Sequence, residues 1–235
     1  GKGHHATQRT YHISYLNHPK LAIDDGGDES VHFDDKETYF SIEPFAKDDS
    51  QGEMYVVLSL PDENTNGGFH NWGGSDQYYL NNNKVYDSFG RDLSFSFNPY
   101  DSVTGIHIYQ ISTDASSSIS RINGREMVKS GNGTVSFGSS DRLGVQWRGY
   151  IHELLYFDSV GSDTRHYHIM DYLSKKWGLE ESIDTDGDGV FDVYDQSLRD
   201  KDVTGEGTYH LRDYVSLTED EEGSLILWLD GTNID

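Results

Sequence analysis

The sequence contains no cysteine, which excludes disulfide bonds, thiolate metal sites and cysteine nucleophiles. Basic residues are also scarce, because 18 Lys and Arg stand against 41 Asp and Glu, for a net charge of −23. This charge repels phosphate backbones, and no stripe of Lys and Arg opposes it, so no nucleic-acid partner is expected. Cations are the natural partners of such a chain.

Long apolar runs and hydrolase motifs are missing as well. No run approaches the roughly 18 apolar residues that a membrane-spanning helix needs, so no membrane span is expected. The sequence has no Gly-x-Ser-x-Gly elbow, no phosphate-binding loop and no His-Glu-x-x-His helix. These absences remove the commonest classes of hydrolase and nucleotide-binding enzyme.

Up to about residue 160 the chain consists of short β-branched and aromatic runs separated by turn residues. The runs are 30–33, 54–60, 93–97, 106–111, 134–137, 143–147 and 150–157. Asn123-Gly124 is the clearest hairpin signal, because a type I′ turn needs positive φ at both central residues. The pattern predicts an all-β fold, an antiparallel jelly roll or β-sandwich.

One segment has helical spacing instead. Ser162 or Asp163 can cap a helix over 164–176, in which Met170, Leu173 and Trp177 share one face. We expect this face to dock the helix on the sandwich.

Acidic residues become dense after Leu179. The segment from Asp184 to Asp195 matches the twelve-residue calcium loop, with Gly189 at the sharp turn. Ca²⁺ takes about six to eight oxygen ligands, which carboxylates and one carbonyl would supply here. The predicted ligands are Asp184, Asp186, Asp188, the carbonyl of Val190, Asp192 and Asp195. Since no flanking helices are predicted, the calcium is expected to be structural and not a sensor's switch.

Several segments carry a family resemblance. Residues 148–158 read RGYIHELLYFD and residues 169–179 read IMDYLSKKWGL. With GHHATQ at 3–8, VHFD at 31–34 and ING at 122–124, they resemble bacterial laminin-G-like (concanavalin A-like) domains. The acidic loop is similar to thrombospondin type 3 repeats, which often follow such domains in secreted bacterial proteins. The resemblance implies a β-sandwich at the cell surface or outside the cell.

The apolar stretch at 224–230 stands in an unexpected place for this family. A strand reading L-x-L-W-L-D-A usually precedes the A-T-Q loop, whereas here LILWLDG follows the acidic segment. Two interpretations remain open: the sequence is cut from a tandem array, or the unit is circularly permuted. Either way we expect a strand that completes its own or a neighbouring sheet. Its predicted assembly residues are Leu225, Leu227, Trp228 and Leu229.

We therefore divide the chain into a sandwich at 1–179, an acidic calcium-binding linker at 180–222 and a terminal strand region at 223–235. The expected function is a non-catalytic, calcium-stabilised structural repeat of an extracellular filament or cell-surface protein. Its partners would be copies of itself or adjacent repeats, joined through the terminal strand.

An enzyme is not expected. A glycosidase of this fold needs two carboxylates on one strand face, and 150–157 offers Glu153 alone, with Ile151 and Leu155 expected beside it on the same face.

The alternative function is an adhesin-type domain that binds a cell-surface carbohydrate or peptide. The loop around residue 72 carries aromatic side chains with polar neighbours, a composition that can stack on a sugar or hold a peptide. The candidate contacts are Trp72, Asp76, Tyr78 and Tyr79.

Overall fold

The computed structural model describes residues 6–8, 19–23, 27–34, 39–42, 45–61, 67–72, 77–91, 94–100, 102–138, 141–145, 147–184 and 225–230, with backbone alone at 6–8, 141 and 225–230. The strands are β1 (Ala6–Gln8), β2 (Lys20–Ile23), β3 (Glu29–Phe33), β4 (Phe40–Ile42), β5 (Gly52–Ser59), β6 (His70–Asn71), β7 (Tyr78–Asn81), β8 (Lys84–Asp87), β9 (Phe95–Phe97), β10 (His107–Thr113), β11 (Ser118–Ile122), β12 (Arg125–Ser130), β13 (Asp141–Leu143), β14 (Gly149–Phe157) and β15 (Leu225–Asp230). One helix, α1 (Asp163–Lys176), lies between β14 and β15.

A large antiparallel sheet forms the middle layer, in the order β12-β11-β10-β5-β14-β3-β2, and β15 also pairs with β14. Two smaller sheets, β1-β4-β13-β6 and β7-β8-β9, supply the facing layer. Side chains of both layers meet in one apolar cluster, which joins Val56 and Tyr109 of the large sheet to Leu143 and Val85 of the small ones. The predicted antiparallel β-sandwich is confirmed.

The helix covers the other face of the large sheet. Its N-cap is Ser162, whose side chain accepts a hydrogen bond from the Arg165 backbone N–H at 3.2 Å. Met170, Leu173 and Trp177 are buried, as their spacing predicted, and pack in a second cluster with β-strand residues such as Leu155. The molecule thus has a sandwich core and a sheet-to-helix core that share one sheet.

Turn chemistry explains where several strands end. Asn123 and Gly124 have φ values of 50° and 84°, which confirms the type I′ hairpin between β11 and β12. The strand expected over 143–147 instead stops at Gly144, where φ is +80° and an added Cβ would overlap the Phe33 ring. The run at 134–137 contributes a single bridge, between Val135 and Arg91, and no longer strand.

A register shift in β14 changes which side chains share a face. The shift lies between Ile151 and Glu153. Ile151 belongs to the sandwich core, whereas Leu155 packs against the helix. The expectation that Ile151, Glu153 and Leu155 point the same way is therefore wrong, because a bulge inverts strict alternation.

β15 lies in the large sheet of the same chain. It pairs antiparallel with Glu153–Phe157, with Leu229 opposite Leu154 and Leu227 opposite Tyr156. Over the described residues, no helix is long and apolar enough to cross a membrane.

Candidate functional site

A small cleft, open to solvent, lies beside β6 and the start of β7. Its lining residues are Gly67, Gly68, His70, Asn71, Gln77, Tyr78 and Val145. None of these side chains is Asp, Glu, Lys or Arg. The cleft therefore presents amide, phenol, imidazole and backbone groups.

Two glycines shape the floor of the cleft. The Tyr79 N–H donates to the Gly67 carbonyl at 2.8 Å, and the Gly68 N–H donates to the Val145 carbonyl at 3.3 Å. A Cβ on Gly68 would overlap the carbonyl oxygen of Gln77. Glycine is thus required where the turn passes against the start of β7.

A buried carboxylate supports the cleft from beneath. Asp87 is fully buried, and its Oδ2 accepts hydrogen bonds from the Tyr109 hydroxyl at 2.8 Å and from Gln77 Nε2 at 3.4 Å. The same oxygen lies 3.1 Å from His70 Nε2, and Oδ1 accepts from the Phe89 N–H at 3.0 Å. These bonds hold the rings and amides at the cleft in fixed orientations.

One polar atom at the cleft is left over. His70 is 2% exposed, and its Nδ1 has no hydrogen-bond partner among the described residues. The ring packs 5.0 Å from the Trp72 ring, whose Nε1 likewise lacks a partner within that part of the chain. Buried polar atoms are normally paired, so this place suits a buried water molecule.

The sequence candidates divide by burial. Tyr78 lines the cleft and is partly exposed. Trp72 and Tyr79 are 1% and 0% exposed and belong to the sandwich core, so they do not reach the cleft surface. Asp76 lies outside the described residues. The sequence did not single out His70, Asn71 and Gln77, which also line the cleft.

The two tyrosines and the histidine behind the cleft are uncharged at neutral pH. Burial, and secondarily Asp87, raises the pKa of Tyr79 and of Tyr109 well above the usual value. Burial lowers the pKa of His107 to about 4. Its Nδ1 lies 2.8 Å from the Gly105 carbonyl, which can only accept, so Nε2 accepts from the Tyr79 hydroxyl at 2.7 Å.

Two buried glutamates lie away from the cleft, between the sheet and the helix. Glu53 pairs with Arg165 at 2.8 Å. Glu153 accepts from the Tyr172 hydroxyl and from Trp177 Nε1, both at 2.9 Å. Both carboxylates fasten the helix to the sheet.

The predicted calcium ligands fall outside the described residues, apart from Asp184. The Asp184 N–H donates to the Asn123 carbonyl at 3.2 Å, which fixes the start of the acidic loop against the β11–β12 hairpin. Among the side chains that the structure describes, no three His, Asp or Glu residues form a metal-binding group. The calcium site stays a prediction.

Comparisons with known proteins rest on structure. No family model matches the chain, and no curated protein matches it. The binding domain of botulinum neurotoxin DC, in complex with rat synaptotagmin II, matches with a TM-score of 0.51 and 9% identity over 75% of this chain. This chain covers 47% of that structure's length.

Two further structures match at lower TM-scores. Domain 4 of AbnA, an extracellular GH43 arabinanase from Geobacillus stearothermophilus in complex with arabinotriose, matches at 0.48, with 16% identity over 61% of this chain and 77% of that one. Trypanosoma rangeli sialidase matches at 0.46, with 9% identity over 60% and 27%. At these identities, the likeness to the neurotoxin domain establishes the β-sandwich fold alone.

Proposed function

We propose that the chain is a non-catalytic, extracellular domain of the laminin-G-like type that binds a carbohydrate or peptide in the cleft beside β6. The observation that carries this proposal is a cleft with an uncharged polar lining, which the buried Asp87 holds in shape through His70 and Gln77. The matching neurotoxin structure is itself a binding domain in complex with a protein, which agrees with this class of function.

The size and polarity of the cleft limit what it can hold. The cleft is small and open to solvent, so it can contact one edge of a ligand but does not enclose it. Tyr78 offers an apolar ring face with a hydroxyl, and Asn71 offers an amide. A single unit would therefore bind weakly, and a surface that displays many copies of the ligand would bind strongly.

The absence of catalysis is part of the proposal. The two buried glutamates each have cationic or hydrogen-bonding partners and lie under the helix, away from the cleft. A glycosidase would need a pair of carboxylates facing the ligand.

The test is binding of the full chain to glycan and peptide arrays, with and without Ca²⁺. We expect Tyr78→Ala and Asn71→Ala to lower the signal at least tenfold on the ligand found. The matched control is Tyr100→Ala, because Tyr100 is 61% exposed and does not line the cleft. A ligand whose binding is unchanged by Tyr78→Ala and Asn71→Ala, or arrays without any ligand, would refute the cleft as a binding site.

A second candidate function is a calcium-stabilised structural repeat of an extracellular filament or cell-surface protein. The observation in its favour is that the last described strand pairs with β14 of the large sheet, far along the chain from that partner. The thrombospondin-like loop lies between the two and would be ordered by calcium. Loss of thermal stability in EDTA tests this function.

A further inference from the structure

Asparagine is followed by glycine three times in the sequence, at 66–67, 123–124 and 132–133. Such a pair is prone to spontaneous deamidation, because glycine has no Cβ to hinder the attack of its backbone nitrogen on the asparagine side chain. The first pair begins at a residue outside the described part of the chain. The folded protein surrounds the other two pairs very differently.

Asn123 is held by hydrogen bonds from its side chain and its backbone. Its Oδ1 accepts from the Ile108 N–H at 2.8 Å, and its own N–H donates to the Ile108 carbonyl at 2.9 Å. Its carbonyl accepts from the Asp184 N–H at 3.2 Å. Because Asn123 also occupies the tight turn between β11 and β12, its side chain cannot swing onto the Gly124 nitrogen without breaking bonds of the fold.

Asn132 lies in an exposed loop instead. Residues 131–134 follow β12 directly, and all four are exposed. A Cβ built on Gly131 meets no atom within 4 Å, so the backbone before Asn132 is open to solvent. Within the part of the chain that the structure describes, the Asn132 side chain makes no hydrogen bond or ion pair. It is therefore free to rotate towards the next backbone nitrogen.

The ends of this loop are fixed although its middle is open. Arg91 donates to the Ser130 hydroxyl at 2.8 Å and to the Gly131 carbonyl. The Gly133 N–H donates to the Ala115 carbonyl at 3.4 Å. This last bond is longer than an ordinary N–H···O bond, so it restrains the Gly133 nitrogen weakly.

We propose that Asn132 is a site of spontaneous deamidation in the folded protein and that the fold protects Asn123 from the same reaction. The Gly133 backbone nitrogen attacks Cγ of Asn132 and gives up its proton. A new N–Cγ bond forms, the bond from Cγ to the side-chain nitrogen breaks, and ammonia leaves. Water then opens the five-membered succinimide ring at one of its two carbonyl carbons, which yields aspartate or isoaspartate. Water is the only co-reactant.

The reaction changes the loop in two ways. Either product carries a carboxylate in place of a neutral amide, and isoaspartate also adds one methylene to the backbone between Gly131 and Gly133. Both glycines lie against the Arg91 guanidinium, since the Gly131 carbonyl accepts from it and a Cβ on Gly133 would lie 3.3 Å from its Cζ. The new negative charge therefore forms near a cation, which favours it. We expect the modified chain to stay folded.

The test follows both asparagines in one sample of the full chain, incubated in its folded state at mildly alkaline pH. Trypsin releases them on separate fragments, 122–125 and 130–142, whose masses report deamidation over time. We expect Asn132 to react at least about tenfold faster than Asn123. Tenfold corresponds to about 1.4 kcal/mol, the net size of one or two hydrogen bonds. In the matched control, Asn132→Gln, fragment 130–142 should stay unchanged, because glutamine must close a larger ring.

The same incubation in guanidinium chloride separates the effect of the fold from that of the local sequence. In the unfolded chain both asparagines precede an unhindered glycine, so Asn123 and Asn132 should react at similar rates. Equal rates at the two positions in the folded chain would overturn the proposal. So would an Asn132 that stays intact in the folded chain but reacts in the unfolded one, because the loop would then protect it.

Discussion

Acidification should unfold this protein through a buried histidine, and His107 is the clearest case. The ring is 2% exposed, and burial lowers its pKa from 6.5 to about 4. The unfolded chain therefore takes up a proton below pH 6.5 that the folded chain refuses until about pH 4. His107 thus contributes stability in full above pH 6.5, and this contribution is lost as the pH falls towards 4.

The size of the effect follows from the two pKa values. A pKa difference of one corresponds to about 1.4 kcal/mol. The free energy of unfolding should therefore fall by an amount on the order of 3 kcal/mol once the pH is below both pKa values. Between pH 7 and pH 5 the expected loss is about 2 kcal/mol. This is a large part of the roughly 5–15 kcal/mol by which domains are stable.

Urea unfolding at several pH values, at fixed salt and saturating Ca²⁺, measures the effect in the natural chain and in His107→Gln. Glutamine can donate to the Gly105 carbonyl and accept from Tyr79 without titrating. We expect the variant to lose about 2 kcal/mol less than the natural chain between pH 7 and pH 5. His32→Gln is the control, because burial also lowers the pKa of His32 but its ring is only partly buried, so its effect should be smaller. Equal pH dependence of the natural chain and His107→Gln would refute the reasoning.

Three further predictions concern charge, backbone and metal. Arg165→Met should lower the free energy of unfolding by about 3–5 kcal/mol, because it leaves Glu53 buried without its cation. Adding Glu53→Gln to the same chain should recover part of this loss. A double variant that is no more stable than Arg165→Met would contradict the prediction. Gly144→Ala should lower the free energy of unfolding by at least about 2 kcal/mol. Gly105→Ala is the control and should change this free energy little, because a Cβ at Gly105 meets no other atom. Similar urea midpoints for the two variants would contradict the prediction. Removing Ca²⁺ should lower the melting temperature and loosen residues 180–200, so equal melting curves in EDTA and in millimolar Ca²⁺ would count against a structural metal.

The sandwich could be predicted because its signals are local. Alternating and apolar runs gave β5, β10 and β14 to within a few residues, and Asn123-Gly124 identified its hairpin from turn chemistry alone. The bulge at residue 152 could not be predicted in this way. It depends on how β14 fits against β5, and it turns Glu153 towards the helix, where Tyr172 and Trp177 satisfy it.

The cleft was less accessible to sequence reasoning. The aromatic loop lies beside the cleft, but the sequence alone does not show whether an aromatic side chain lies in a core or on a surface. Trp72 was chosen for its type, and the structure buries it against His70. The role of Asp87 depends on contacts with residues 70, 77 and 109, which come together only in the folded sheets. Only the paired glycines at 67 and 68 gave a local signal that a backbone passes closely there.

The two proposed functions use different layers of the molecule and can therefore operate together. The cleft lies beside β6 and β7, in the small sheets that face the sandwich core. The strand β15 lies in the large sheet, whose far face is covered by the helix. A structural repeat would display the cleft many times along an array. Because one small, open cleft offers few contacts, such repetition would supply by avidity the affinity that a single unit lacks.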